Sequence, residues 1–237
     1  MTLSSFRKFC PNQVYANDEV IWDLVAGCPL IEHMNIFACQ GFKCLELPHL
    51  NKLKEFILYD SDGLEWVYVN GKNVYSVHIT AKQTPREIIV TPCKNLKELK
   101  LCEVVITDGW LCKQISEPPF LEYLYVKCCG KLRNVKIISP RLKKLDFTST
   151  EKLVELKLNT PNLSMFKTSG SMVSFSSNAL ALSETVFYYT FYVDKYVKLI
   201  ELLAKFDHCY EVLNLICNHK VYYSFQTLLP KFSILFK

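Results

Sequence analysis

The amino-acid sequence predicts an α/β solenoid, a stack of short repeats whose parallel strands share one concave face and in which helices are few. Two observations lead to this prediction. A six-residue pattern with apolar residues at its first, fourth and sixth positions recurs along most of the chain. The repeat interval of 21 to 25 residues leaves no room in most coils for a strand, two turns and a long helix. Each coil therefore needs a second side that is strand-like or irregular.

The repeated pattern predicts a leucine-rich-repeat horseshoe. Seven windows begin at residues 31, 53, 74, 96, 121, 142 and 163, and a strand is predicted within about two residues of each start. With three apolar positions per window there are 21 positions, and all but Thr168 hold Leu, Ile, Val, Met or Phe. Eight residues after each start, a small hydrogen-bonding residue is expected in the turn. Five windows fit and two do not: Cys39, Ser61, Cys129, Thr150 and Ser171 against Lys82 and Val104.

Other elements follow from local signals along the chain. Asn17 precedes a short apolar pattern that ends near Gly27, which predicts a capped helix near 18–26. A second set of windows from 42, 64, 132 and 153 predicts strands on the convex side. Asp194 caps a predicted helix over 195–206, between strand-like stretches that begin at 186 and 211. Helices are expected only at the ends of the solenoid.

These elements divide the chain into two continuous parts. Residues 1–172 form the solenoid with its N-terminal helix. Residues 173–237 form a C-terminal strand-helix-strand repeat and a terminal segment, which continue the solenoid.

Composition narrows the function classes. Half of the 237 residues are apolar, yet no run approaches the roughly 18 residues that a membrane helix needs, so no membrane contact is expected. The formal net charge of +5 is too evenly scattered to predict nucleic-acid binding. The N-terminus lacks an apolar signal region, which favours a cytoplasmic or nuclear location. The 11 cysteines show no paired spacing, so neither a disulfide framework nor a metal site is predicted.

No catalytic motif stands out in the sequence. It contains no GxSxG elbow, no glycine loop for phosphate and no HExxH motif. The histidines fall in separate coils, apart from His208 and His219. We therefore expect a protein that is not an enzyme and uses no cofactor.

The concave face is the predicted binding surface. In each window the third and fifth residues, and the residue just after the window, point away from the core because strand side chains alternate. Lysines recur there beside two tyrosines, which suits a protein partner with acidic or phosphorylated groups. An alternative is that the lysines merely solvate the sheet and discourage edge pairing. The candidate partner-binding residues are Tyr59, His78, Lys100, Tyr123, Tyr125, Lys127, Lys144 and Lys167. A second candidate is the aromatic stretch around Tyr222, Tyr223 and Phe225.

Residues 18–41, DEVIWDLVAGCPLIEHMNIFACQG, resemble the repeat region of plant F-box/leucine-rich-repeat proteins. KNLKELKL, PPFLEYLYVKCCG and SPRLKKLDF extend the resemblance, which spans about residues 18–217. The resemblance implies repeats that bind a target protein, while an N-terminal F-box docks a Skp adaptor of a cullin ubiquitin ligase. The first 17 residues are too few for an F-box, so we expect no binding of a Skp adaptor. Alternatives are a stand-alone repeat scaffold or decoy, or a repeat fragment of an immune receptor.

Overall fold

A computed structural model describes residues 5–47, 50–81, 87–90, 93–116, 118–148, 152–169, 174–179, 181–189 and 212–217. The elements in chain order are β1 (Lys8–Phe9), α1 (Asp18–Gly27), β2 (His33–Phe37), β3 (Cys44–Glu46), β4 (Glu55–Tyr59), β5 (Trp66–Tyr68), β6 (Ser76–Thr80), β7 (Glu87–Ile89), β8 (Glu98–Cys102), α2 (Asp108–Ser116), β9 (Tyr123–Lys127), β10 (Asn134–Ile138), β11 (Lys144–Thr148), β12 (Glu155–Asn159), β13 (Met165–Ser169), β14 (Ser174–Ser177), β15 (Glu184–Tyr189) and β16 (Val212–Cys217).

Within these ranges, ten strands form one parallel sheet in the order β1-β2-β4-β6-β8-β9-β11-β13-β15-β16. Each of the seven predicted concave strands begins two residues after its window start, so the predicted solenoid is confirmed. Alternation places every second side chain in the core. Leu99 and Leu124, register partners on β8 and β9, are both 0% exposed. One continuous apolar core therefore runs beneath the sheet.

The convex side carries two three-stranded parallel sheets, β3-β5-β7 and β10-β12-β14, in the described part of the chain. Strands β3, β5, β10 and β12 each begin two residues after a predicted convex window. Strands β7 and β14 were not predicted, because neither belongs to a recognised window. They complete the second extended side of their coils.

The expectation that helices occur only at the ends was wrong. Helix α2 lies in the middle of the chain and separates the two convex sheets. It fits there because the interval from 96 to 121 is the longest of the six intervals between window starts. Thr107 Oγ1 accepts a hydrogen bond from the Trp110 N–H at 3.2 Å and starts the helix, and Leu111 and Ile115 lie in the core.

The N-terminal helix agrees with the prediction. Helix α1 begins at Asp18, and the Asn17 side chain accepts from the Val20 N–H at 2.9 Å. The predicted C-terminal helix over 195–206 lies outside the described residues, whereas β15 and β16 pair directly in parallel. The division of the chain at 172/173 stays a prediction.

Each helix supplies an aspartate that replaces a missing strand neighbour. Where two convex strands are neighbours, the N–H groups at the start of the later strand donate to a main-chain oxygen just before the earlier strand. Strand β3 instead follows α1, and its Lys43 and Cys44 N–H groups both donate to Asp18 Oδ1 at 2.8 Å. Strand β10 follows α2, and two N–H groups at its start donate to the carboxylate of Asp108. The carboxylates thus satisfy strand edges that a helix leaves open.

Four of the turns that end concave strands share one backbone conformation. Ala38, Asp60, Glu103 and Cys128, seven residues after their window starts, all have φ between 48° and 59°. Each N–H donates to the carbonyl that ends the next concave strand at 2.8 to 3.1 Å. The following residue is buried at Cys39, Ser61 and Cys129, and also at Val104, the exception to the small-residue pattern. The other three such positions, Lys82, Thr150 and Ser171, lie outside the described residues.

Candidate protein-binding surface

The concave side chains form three rows that cross the strands. Register pairing aligns Ile57, His78, Lys100, Tyr125, Asp146 and Lys167 in the middle row. Neighbouring strands lie about 4.8 Å apart, so adjacent members of a row are within side-chain reach. The repeat register therefore brings together residues that are 21 to 25 positions apart in the sequence.

Six of the eight predicted residues line one pocket of about 410 Å³, which we call the central pocket. They are Tyr59, His78, Lys100, Tyr123, Tyr125 and Lys127. Thr80, Cys102 and Glu103 complete its lining. Lys144 instead lines a neighbouring groove, and Lys167 lies on β13, two strands beyond β9, and lines neither cavity.

Sequence reasoning did not select Glu103 as a site residue. It follows β8 in the turn with positive φ, so strand alternation does not predict its direction. Its position seven residues after a window start could have identified it. It adds one carboxylate beside Lys100 and Lys127.

Lys100 is held by its own neighbours. Its Nζ lies 3.1 Å from Glu98 Oε2 and 5.3 Å from the centroid of the Tyr123 ring. Lys127 and Lys167 have no carboxylate within 4 Å in the described part of the chain. Lys144 likewise has none among the described residues, so the predicted lysines available to a charged partner are Lys127, Lys144 and Lys167 rather than Lys100.

The two tyrosines are rigid hydrogen-bond donors. Burial raises the pKa of Tyr123, and it raises the pKa of Tyr125 to about 12. Both hydroxyls therefore remain protonated at neutral pH. Half-buried rings of this kind offer contact area with little conformational entropy to lose.

Asp146 places an acceptor beside these donors. Burial raises the pKa of its carboxyl, an effect partly offset by a hydrogen bond from Thr148. Its Oδ1 is buried and has no hydrogen-bond partner within the described residues. In register it lies between Tyr125 and Lys167.

The concave histidines do not combine into a catalytic group. His33 Nδ1 lies 2.8 Å from Glu55 Oε2, whose other oxygen accepts from Tyr75. His78 lies two strands away, where its Nε2 is 3.2 Å from Thr80 Oγ1 and burial lowers its pKa. Across the described ranges, no group of three or more His, Cys, Asp or Glu side chains could hold a metal ion. In those ranges neither helix has the length and apolar character to cross a membrane.

Comparison with known families agrees with this architecture. The family model described as At1g61320/AtMIF1, LRR domain, matches residues 85–232, which is more than half of the chain. No curated protein and no solved structure matches the sequence. Leucine-rich-repeat domains are typically non-catalytic and indicate a protein–protein interaction module. With its stacked parallel coils and this match, the chain belongs to the At1g61320/AtMIF1 leucine-rich-repeat domain family.

Proposed function

We propose that this chain is a target-recognition module of the F-box/leucine-rich-repeat type, which selects a protein for a cullin ubiquitin ligase. The observation that carries the proposal is the central pocket, which gathers six side chains chosen for protein binding. The resemblance of residues 18–41 to that family supports the ligase role. A cytoplasmic or nuclear location is part of this proposal.

The chemistry of the surface defines the partner. Tyr123 and Tyr125 supply aromatic area and hydroxyl donors, and Lys127 and Lys167 supply cations without carboxylate partners among the described residues. Asp146 supplies a half-buried carboxylate. A target segment with acidic groups and at least one hydrogen-bond donor fits this set.

A double substitution tests the surface. Partners captured by the wild-type chain after crosslinking in cells are compared with those of a Tyr123→Ala/Tyr125→Ala variant. Loss of both rings should weaken target binding by about 2 kcal/mol or more, mostly through faster dissociation. Trp66→Ala, which removes a half-exposed aromatic from the convex sheet, is the matched control. Equal affinity of the double variant would move the site off the concave face.

The half-life of the captured target tests the ligase role. Removal of the gene product that contains these repeats should lengthen that half-life, proteasome inhibition should abolish the difference, and the double-tyrosine substitution in that gene product should act like its removal. A shorter half-life after removal would overturn the ligase role in favour of the stand-alone decoy.

We propose that these repeats do not dock the adaptor. The described residues hold two separate helices, α1 and α2, whereas the resemblance implies that an F-box docks the adaptor with three helices. The purified 237-residue chain should therefore fail to bind a Skp adaptor in a direct pull-down. Stoichiometric capture would contradict this.

A further inference from the structure

A second cavity lies along the N-terminal edge of the concave strands. We call it the edge groove; its volume is about 870 Å³, and Tyr75, Lys97, Phe120, Lys143 and Lys144 contribute to its walls. It shares Tyr123 with the central pocket, so the two cavities adjoin. Its other walls come largely from the turns before the strands, which the concave-face prediction did not include.

Phe120 interrupts a structural pattern at this edge. In three coils the residue just before the window is an asparagine, Asn73, Asn95 or Asn162, whose side-chain amide donates to a main-chain oxygen of the preceding coil at 2.6 to 2.7 Å. Phe120 and Arg141 occupy the same position in two adjacent coils. The Phe120 side chain is 40% exposed. Phe120 thus exposes a ring where three other coils hold a hydrogen-bonded asparagine, and this ring also lines a groove.

Arg141 and Phe120 form a preorganised pair. The guanidinium carbon of Arg141 lies 4.8 Å from the centroid of the Phe120 ring. A guanidinium stacked on a ring is held by its face, which leaves the N–H groups at its edge available. Those N–H groups match a carboxylate in a two-point hydrogen bond.

The unpaired charge around the edge groove is positive. Lys97, Arg141 and Lys144 have no carboxylate within 4 Å in the described part of the chain. Glu98 and Glu122 also line the groove, but each lies 3.1 Å from a lysine ammonium. Three unpaired cations thus surround one exposed aromatic ring.

We propose that the edge groove binds an acidic segment of a partner protein, with one apolar side chain packed on Phe120 and carboxylates held by Arg141, Lys97 and Lys144. A protein segment fits better than nucleic acid, because Glu98 and Glu122 already pair with Lys100 and Lys143, which leaves three separate cations rather than the continuous positive groove that tracks a phosphate backbone. This is a second binding surface, and it stands whether or not the central pocket recognises a ubiquitination target.

The probe is a short fluorescein-labelled peptide of glutamates around one central leucine, titrated by anisotropy at low salt. Phe120→Asn installs the residue that other coils use at this position, so it should fold, and it should weaken probe binding by about fivefold or more. Arg141→Gln should weaken binding and flatten its salt dependence. Lys136→Gln removes one charge from the exposed side of convex strand β10 and should leave the affinity unchanged.

The proposal would be overturned if a probe with serine in place of leucine bound equally well, or if Phe120→Asn kept wild-type affinity with an unchanged melting midpoint. It would also be overturned if Lys136→Gln weakened binding as much as Arg141→Gln. Tighter binding of a single-stranded oligonucleotide of equal charge would also overturn it, in favour of nucleic acid. Tyr125→Ala, which changes only the central pocket of the two cavities, should not alter probe binding. That variant separates failure of this proposal from failure of the proposed function.

Discussion

The two aspartates that close the convex strand edges should respond differently to the same substitution. Arg133 N–H donates to Oδ1 of Asp108 at 2.9 Å, and Asn134 N–H donates to Oδ2 at 3.0 Å. Asparagine has a single acceptor oxygen, so Asp108→Asn sets an amide NH₂ group against one of these donors. At Asp18 both donors share Oδ1, so Asp18→Asn can keep both hydrogen bonds.

The magnitude follows from these bonds. Each substitution removes a first-turn negative charge and hence a similar helix-dipole stabilisation of about 0.3–1 kcal/mol. Asp108→Asn additionally leaves a main-chain N–H unpaired, which costs about 1–3 kcal/mol, with the lower half expected because the site is exposed to water. Asp108→Asn should therefore lower the free energy of unfolding by about 1 kcal/mol more than Asp18→Asn.

Urea denaturation of both variants measures this difference, and amide hydrogen exchange locates it. Protection of the Arg133 and Asn134 N–H groups should fall in Asp108→Asn and persist in Asp18→Asn. Equal losses of stability, with unchanged protection at the start of β10, would refute the view that a carboxylate replaces the missing strand.

Three further predictions concern the core, a turn and pH. Leu124→Ala should lower the free energy of unfolding by about 2–5 kcal/mol, because the side chain is fully buried. The control Val154→Ala, at a residue 57% exposed, should change it by under about 0.5 kcal/mol. Similar melting midpoints of the two variants would contradict the register. Ala38→Gly should stabilise the chain by about 1 kcal/mol in urea denaturation, since Ala38 has a φ of 48°, and a loss of stability would argue against that turn. A hydrogen bond from Tyr75 holds the pKa of Glu55 in the folded protein below its ordinary 4.5. The ionised Glu55 therefore stabilises the fold above pH 4.5, and this stabilisation is lost as the pH falls through the lowered pKa. Tyr75→Phe should therefore lose less stability than wild type on acidification, and an unchanged acid profile would count against this hydrogen bond.

Much of the fold was predictable because every second residue of a strand buried on one face points into the core. Inward residues such as Leu99 and Leu124 must be apolar, so the pattern marks both the strand and its register. Strand β1 was not predicted because its two residues are too few to show an alternating apolar pattern. Helix α2 escaped because its short apolar pattern, at Leu111 and Ile115, was weaker than the repeat signal around it.

The binding surface was predictable to the extent that strand alternation determines it. Tyr59, His78 and Tyr125 fall in one pocket because they lie on outward positions of neighbouring strands. Glu103 and Phe120 line cavities from turns, where side-chain direction depends on local dihedral angles that no period reveals. Sequence reasoning therefore identified surface residues that lie on the strands and missed residues that lie in the turns.

The unpredicted helix also bears on where the central pocket lies. An α-helix with its side chains is about 10 Å across, whereas neighbouring strands are about 4.8 Å apart. Helix α2 lies between β7 and β10, and Trp110 Nε1 donates to the Ile88 carbonyl of β7 at 2.8 Å. The convex layer therefore needs more width at this coil than the concave layer, where β8 and β9 remain direct neighbours. We expect such a difference in width to curve the sheet towards its concave side at β8 and β9, the two strands that carry the pocket residues Lys100 and Tyr123.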